Sequence, residues 1–224
     1  MKIIEPCVMV EAFDGVEIMK KIEKACRTCY RSEEKITEDS YKKLLANCIN
    51  RGHESIMEHE KITVQMVCDI GVYKDLTRHR AGTAFSIEST RYCSYDKDKF
   101  GNEIKFVKPC HIEGELYELW KESCKQIESQ YIRMAQAGAK PDQLRMILPH
   151  STAALVTMTC NIREWRHIFS LRAQKMTHPT VQQVMIPLLR YFQEQMPELF
   201  CDIPYNTSFD EKWYAQIVKE DSIY

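Results

Sequence analysis

Arginines gather in two segments of this chain, 78–91 and 163–172, whereas lysines are spread widely. The first segment reads Arg78-His79-Arg80, then Ser89, Thr90 and Arg91 after a run of small residues. A guanidinium matches phosphate or carboxylate oxygens as a two-pronged fork. With a net charge of only −1, such clusters point to a bound anion of limited size rather than a long polyanion. Successive side chains on a helix end diverge by about 100°. Arg78 and Arg80 therefore reach two different phosphates, or one phosphate and one ring. Ser89 adds a hydroxyl and Arg91 a further fork. The plain alternative is a solvated basic helix end complementing the helix dipole.

Other reactive residues are less persuasive by context. The ten cysteines are scattered, without framework spacing, and read as reduced and mostly buried. Cys26-Arg27-Thr28-Cys29 is a lone CxxC inside a helical pattern, with no second pair to complete a zinc site. His53, Glu54, Glu58 and His59 do not form HExxH, so no metal is expected. Ser89 lacks a recognisable base beside it, which favours binding over nucleophilic attack. Trp120 lies on an apolar helix stripe and is expected in the core.

The elements that must position these groups follow from periodicity. Residues 1–10 read as a strand, 15–30 and 38–51 as helices, and 60–69 as an alternating strand. A short helix over 72–79 is expected to end in the Arg-His-Arg triplet. The stretch 81–112 lacks sustained periodicity and reads as loop. A long amphipathic helix covers 115–137, another 140–148 with Pro141 in its first turn. Residues 152–161 read as a buried strand, and 162–172 and 180–195 as helices. This order suggests an α+β fold, one domain over 1–224, with a small mixed or antiparallel sheet flanked by helices. No run approaches the roughly 20 apolar residues of a membrane span. The first residues do not read as an export signal, so a cytoplasmic location is expected. Neutral charge and the lack of an aromatic–glycine recognition motif count against a nucleic-acid-binding module.

These residues resemble the signature of the flavin-dependent thymidylate synthases: an Arg-His-Arg triplet followed at a set interval by Ser and, two residues on, Arg. The resemblance extends over most of the chain, through His53-Glu54-Ser55, Arg145 before Leu148-Pro149, Asn161-Ile162-Arg163, His167 and Leu171-Arg172. Eight residues separate Arg80 from Ser89, one more than the family usually has. Ile87 then occupies a place usually held by Glu or Gln, with Glu88 as a substitute or a backbone contact in its stead.

The resemblance implies that FAD is held by Ser55, Arg78, His79, Arg80, Glu88, Asn161, Arg163 and His167. It implies that dUMP is held by Asp75, Arg78, Ser89, Thr90, Arg91, Arg145 and Arg172. Arg172 would act on the reaction itself, because a guanidinium beside uracil stabilises charge on the N3/O4 side as C5 becomes nucleophilic. Arginine keeps its own proton, so it would serve as an electrostatic partner and not as the base. The family also implies 5,10-methylenetetrahydrofolate as carbon donor, NADPH as reductant, and a homotetramer with active sites shared between subunits. A relative that binds FAD and nucleotide without synthase activity is the alternative. Pro109-Cys110-His111 resembles the nucleophile of the unrelated cysteine-dependent thymidylate synthases. None of that family's other anchors accompanies it, and a structural cysteine is expected.

Overall fold

The structure is a computed structural model and describes residues 1–95 and 101–218. Two long strands form its spine. β3 (Lys61–Asp69) and β6 (Ala153–Asn161) pair antiparallel over nine residues, from Lys61 opposite Asn161 to Asp69 opposite Ala153. Alternation explains both. Ile62, Val64, Met66 and Cys68 of β3 are buried, as are Ala154, Val156, Met158 and Cys160 of β6, and together they form one apolar face. Across the other face Thr63 and Thr159 share a hydroxyl hydrogen bond of 2.9 Å.

Three shorter strands complete the sheet: β2 (Cys7–Val10), β4 (Thr83–Ile87) and β7 (Gln216–Val218), in the order β4-β6-β3-β2-β7. β7 runs parallel to β2 and the remaining neighbours are antiparallel, so the sheet is mixed. β1 (Lys2–Ile4) and β5 (Lys105–Val107) form a separate parallel pair. The expected strand over 1–10 is thus two strands, broken at Glu5-Pro6, since proline cannot donate to a ladder.

Helices α1 (Gly15–Thr28), α2 (Ser40–Asn50), α3 (Ile70–Leu76), α4 (Gly114–Gln136), α5 (Pro141–Leu144), α6 (Ile162–Arg172), α7 (Pro179–Gln195) and α8 (Pro197–Phe200) surround the strands. The α+β class is therefore as expected. The helix over 140–148 is only α5 followed by a 3-10 turn, Arg145–Ile147, before Pro149. None of the helices among the described residues is long and apolar enough to cross a membrane.

Two expectations need correction. Residues 83–87 are an edge strand, not loop, with Thr83, Phe85 and Ile87 turned inward and Ala84 and Ser86 exposed. Residues 105–107 are likewise β5, while 96–100 of that stretch lie outside the described residues. Second, α3 stops at Leu76, and the Arg-His-Arg triplet follows in a turn closed by His79 N–H donating to the Leu76 carbonyl at 3.0 Å.

The main core lies between the sheet and α1, α2, α6 and α7. α6 is anchored in it by Trp165, whose indole N–H donates to the Ile62 carbonyl at 3.1 Å and whose ring stacks on Phe169 at 5.5 Å. Phe192 and Phe200 enclose the same cluster. Burying aromatic side chains of this size stabilises by about 1.5–3 kcal/mol each. This fixes which face of α6 looks outward, namely Arg163, His167 and Ser170. A second, smaller core gathers Ile104, Phe106, Cys124 and Tyr131 beneath α4.

Candidate active site

The turn after α3 and the first turns of α6 come together at the Asn161 end of β6. Asn161 caps α6: its side-chain oxygen accepts from the Glu164 backbone N–H at 2.8 Å. Its own N–H donates to the Gly82 carbonyl at 3.1 Å. Gly82 must pass directly over the Asn161 side chain. Its φ is +63°, and a Cβ there would fall 2.1 Å from Asn161 Nδ2, so only glycine fits.

His79 is buried at the centre, its side chain 6% exposed. Arg172 Nε donates to His79 Nε2 at 3.1 Å, and His79 Nδ1 lies 3.3 Å from Glu164 Oε1. The His167 ring meets the His79 ring edge-on at 5.6 Å. Burial, then the charge of Arg172 and the proximity of His167, push the His79 imidazole down to about 4 from its ordinary 6.5, so it is neutral near pH 7. Burial raises the Glu164 carboxyl above the usual range. Arg172 is held on its other side by Asp75, through Nη2 to the backbone carbonyl at 3.0 Å and Nη1 to the carboxylate at 3.8 Å.

Two cavities flank this centre. One, of about 540 Å³, is lined by Ala81, Gly82, Asn161, Arg163, Glu164 and His167, with Glu54 and Glu58 opposite. The other, of about 670 Å³, includes Lys74, Asp75, Arg78, Trp120, His150 and His178. His79 touches residues of the first and Arg172 touches Asp75 of the second, so the pair bridges them.

The arginines divide by their partners. Arg166 is buried and structural: its guanidinium forks onto Asp202 with two 2.7 Å bonds, also binds Glu54, and donates to the Leu199 carbonyl. Arg163 is exposed and pairs with Glu58 at 2.6 Å. Arg78, Arg80 and Arg145 are exposed and, among the described residues, have no carboxylate within ion-pair distance. Arg78 opens into the larger cavity while His79 turns inward, so the triplet does not present its side chains to one point.

Not every sequence-derived site residue joins this centre. Ser55 is exposed in a neighbouring cavity of about 300 Å³ with His53, Cys26 and Cys29. Arg145 sits on the turn that leads toward the Ala153 end of β6. Ser89, Thr90 and Arg91 also lie beyond that end, because Glu88 N–H donates to the Leu155 carbonyl at 2.8 Å. Asn161 stands six positions beyond Leu155 on β6, a span of about 20 Å in an extended strand. Both Glu88 oxygens have internal partners, the Tyr95 hydroxyl at 3.1 Å and the Leu155 N–H at 3.4 Å.

Two residues of the site escaped the sequence. Glu164 stands three positions after Asn161 in the Asn-x-x-Glu spacing of a helix start, a pattern that suggests capping rather than a link to a distant histidine. Trp120 was expected in the core, but it is only partly buried, packs against the second core, and lines the larger cavity. Cys110 is buried, and desolvation pushes its thiol up to about 11, so it is not ionised near neutrality.

His79, Glu164 and His167 bring possible metal-ligand atoms within 4.8 Å of one another. A cation on His79 Nδ1 would force the proton to Nε2, against the Arg172 N–H. Metal occupancy and the arginine contact thus exclude each other.

Residues 16–198 match the family described as thymidylate synthase complementing protein. Flavin-dependent thymidylate synthases of Pyrococcus abyssi and Pyrococcus furiosus are each 32% identical over 161 residues, covering 70% of this chain. The matched part spans 65% of those relatives' length, less than two thirds. A flavin-dependent thymidylate synthase of Geobacter sulfurreducens is 24% identical over 187 residues, 80% of this chain and 78% of its own. Among solved structures, a UMP/dUMP methylase of Streptomyces cacaoi bound with 5-Br dUMP has a TM-score of 0.73 at 19% identity, over 89% of this chain and 95% of that one. Thymidylate synthase X of Helicobacter pylori, with FAD and dUMP, has a TM-score of 0.71 at 18% identity, over 88% and 98%. These structures share the fold. The chain belongs to the thymidylate synthase complementing protein family, that of the flavin-dependent thymidylate synthases.

Proposed function

We propose that this chain makes dTMP by flavin-dependent reductive methylation of dUMP, taking its carbon from 5,10-methylenetetrahydrofolate and its electrons from NADPH. The observation that carries the reading is Arg172, a guanidinium locked between Asp75 and His79, together with exposed arginines that have no carboxylate within ion-pair distance among the described residues. A nucleoside monophosphate and a dinucleotide diphosphate need several such forks.

The residues fit FAD by their donors. Asn161, Arg163 and His167 line a cavity of about 540 Å³, a size in the range of ligand sites; Arg80, next in sequence to Ala81 and Gly82 of its wall, is exposed, while Arg78 opens into the larger cavity. Release of Arg163 from Glu58 would supply a free fork. When bound, the flavin supplies the hydride and electron chemistry. Asp75, Arg78 and Arg172 would hold dUMP in the larger cavity. Arg172 would stabilise negative charge on the N3/O4 side of uracil as C5 turns nucleophilic. Neutral His79 accepts from Arg172 without adding a second positive charge, so the guanidinium keeps its field for the base.

The same reading makes the working unit a homotetramer in the cytoplasm, with each site completed by another subunit. Two observations support sharing. Ser89, Thr90 and Arg91 stand about 20 Å from the Asn161 end along β6. Leu116 and Leu119 on α4 are 66% and 58% exposed, apolar surface that an oligomer would cover.

The test is product formation with dUMP, methylenetetrahydrofolate, NADPH and FAD. dTMP is the expected outcome. A yellow protein that is bleached by NADPH and dUMP yet makes no dTMP would establish the non-synthase alternative, and a protein that never takes up FAD would overturn both.

A further inference from the structure

We propose that Glu164 is a positioning residue for Arg172, acting through the tautomer of His79. The inference rests on the function just proposed. An arginine side chain carries only donors, so the 3.1 Å contact from Arg172 Nε makes His79 Nε2 an acceptor. A neutral imidazole has one N–H, which must then sit on Nδ1. Nδ1 lies 3.3 Å from Glu164 Oε1, an acceptor-only oxygen when ionised. The three side chains therefore form a directed chain: the Arg172 N–H to Nε2, and the Nδ1 N–H to the carboxylate. Reversing the imidazole proton would set two donors against each other at Arg172 and leave Glu164 facing a lone pair.

Glu164 is well placed to dictate this choice. Its backbone is fixed by the Asn161 cap at 2.8 Å, and its side chain is only 11% exposed, so water competes little for the carboxylate. Glu164 and Arg172 belong to the same helix, eight residues and about 12 Å of axis apart. The arginine side chain and the imidazole span that distance. Asp75 holds Nη2 and His79 holds Nε, which leaves the Nη1 edge as the least engaged part of the guanidinium. Glu164 thus sets, through His79, where that edge points.

The test reads the tautomer directly, by ¹⁵N NMR of histidine-labelled protein loaded with FAD, with His79 assigned by its loss in His79→Gln. Wild type should show a neutral ring with its proton on Nδ1. Glu164→Leu should convert it to a mixture or to the Nε2–H form, and lower kcat for dTMP about tenfold or more, equivalent to roughly 1.4 kcal/mol, with KM for dUMP changed far less. Glu164→Gln offers a carboxamide oxygen to the same N–H. It should recover the Nδ1–H form, with a kcat between the two, and it keeps the test open should the leucine variant not fold. A wild-type ring protonated on Nε2, or a tautomer unchanged in Glu164→Leu, overturns the inference. The tautomer is seen without turnover. An intact Nδ1–H ring in a wild-type enzyme that makes no dTMP would therefore defeat the proposed function while supporting the link.

Discussion

Arg172 Nε and His79 Nε2 are 3.1 Å apart, and that contact joins the two cavities of the site. It also settles the charge of the histidine. An imidazolium would present an N–H to an N–H and a cation to a cation, in a place where His79 is 6% exposed. The family triplet Arg-His-Arg therefore has a divided role here: two exposed cations, and between them a buried neutral acceptor.

This neutrality has a pH signature. His79 is held near 4 against an ordinary 6.5, chiefly by burial, with Arg172 and His167 adding to the depression and Asp75 opposing it. A depressed histidine contributes stability that is fully present above pH 6.5 and is lost as pH falls toward 4. The shift corresponds to roughly 3 kcal/mol at most. Histidine NMR should show the His79 ring titrating near pH 4, with unfolding stability declining between pH 6.5 and 4. A ring that titrates at 6.5 would mean that His79 is neither buried nor held against Arg172.

Gly82 is a sharp steric test of the turn. Gly82→Ala places a methyl carbon 2.1 Å from Asn161 Nδ2 at a φ of +63°. The strain alone should cost about 1–3 kcal/mol, and relief requires Asn161 to leave its cap on α6. Denaturant midpoints should fall and FAD titrations should weaken together. Unchanged FAD affinity would separate Asn161 from the flavin site.

Cys110 should be dispensable. Its thiol is buried and raised to about 11, the reverse of an activated nucleophile. Cys110→Ala should keep kcat for dTMP within about twofold. Abolished activity in a folded variant would return the Pro109-Cys110-His111 segment to the mechanism.

Sharing of sites between subunits is open to complementation. Arg91→Ala and Arg172→Ala should each be nearly inactive. Oligomers reassembled from a mixture should recover turnover, since some sites then receive both wild-type arginines. Mixed oligomers verified by mass spectrometry that stay inactive would place both arginines in one chain's site.

Much of this fold could be read from residue order, and the exceptions have physical causes. β3 announces itself by alternation, because one of its faces is buried along its length, and β6 by a run of small and apolar residues that reads as a buried strand. β4 is an edge strand of five residues whose outward positions are Ala84 and Ser86, so its alternation is faint, and its glycine-bearing approach looks like loop. The arginines were legible as anion ligands because their chemistry is local. Glu164 was not: its contact with His79 spans 85 positions and depends on how α6 docks through Trp165. The same limit applies to Trp120. A heptad-like stripe along α4 reads as core, but only Cys124 and Tyr131 of that helix are buried.

Release of tritium from 5-tritiated dUMP tests most directly whether Arg172 acts on the uracil ring. FAD-loaded wild type with methylenetetrahydrofolate and NADPH should release tritium as dTMP forms. Arg172→Ala, shown by its absorbance to hold FAD, should release it about 10²–10³-fold more slowly, the usual cost of losing one donor to a developing charge. Near-normal release by that variant would contradict the account.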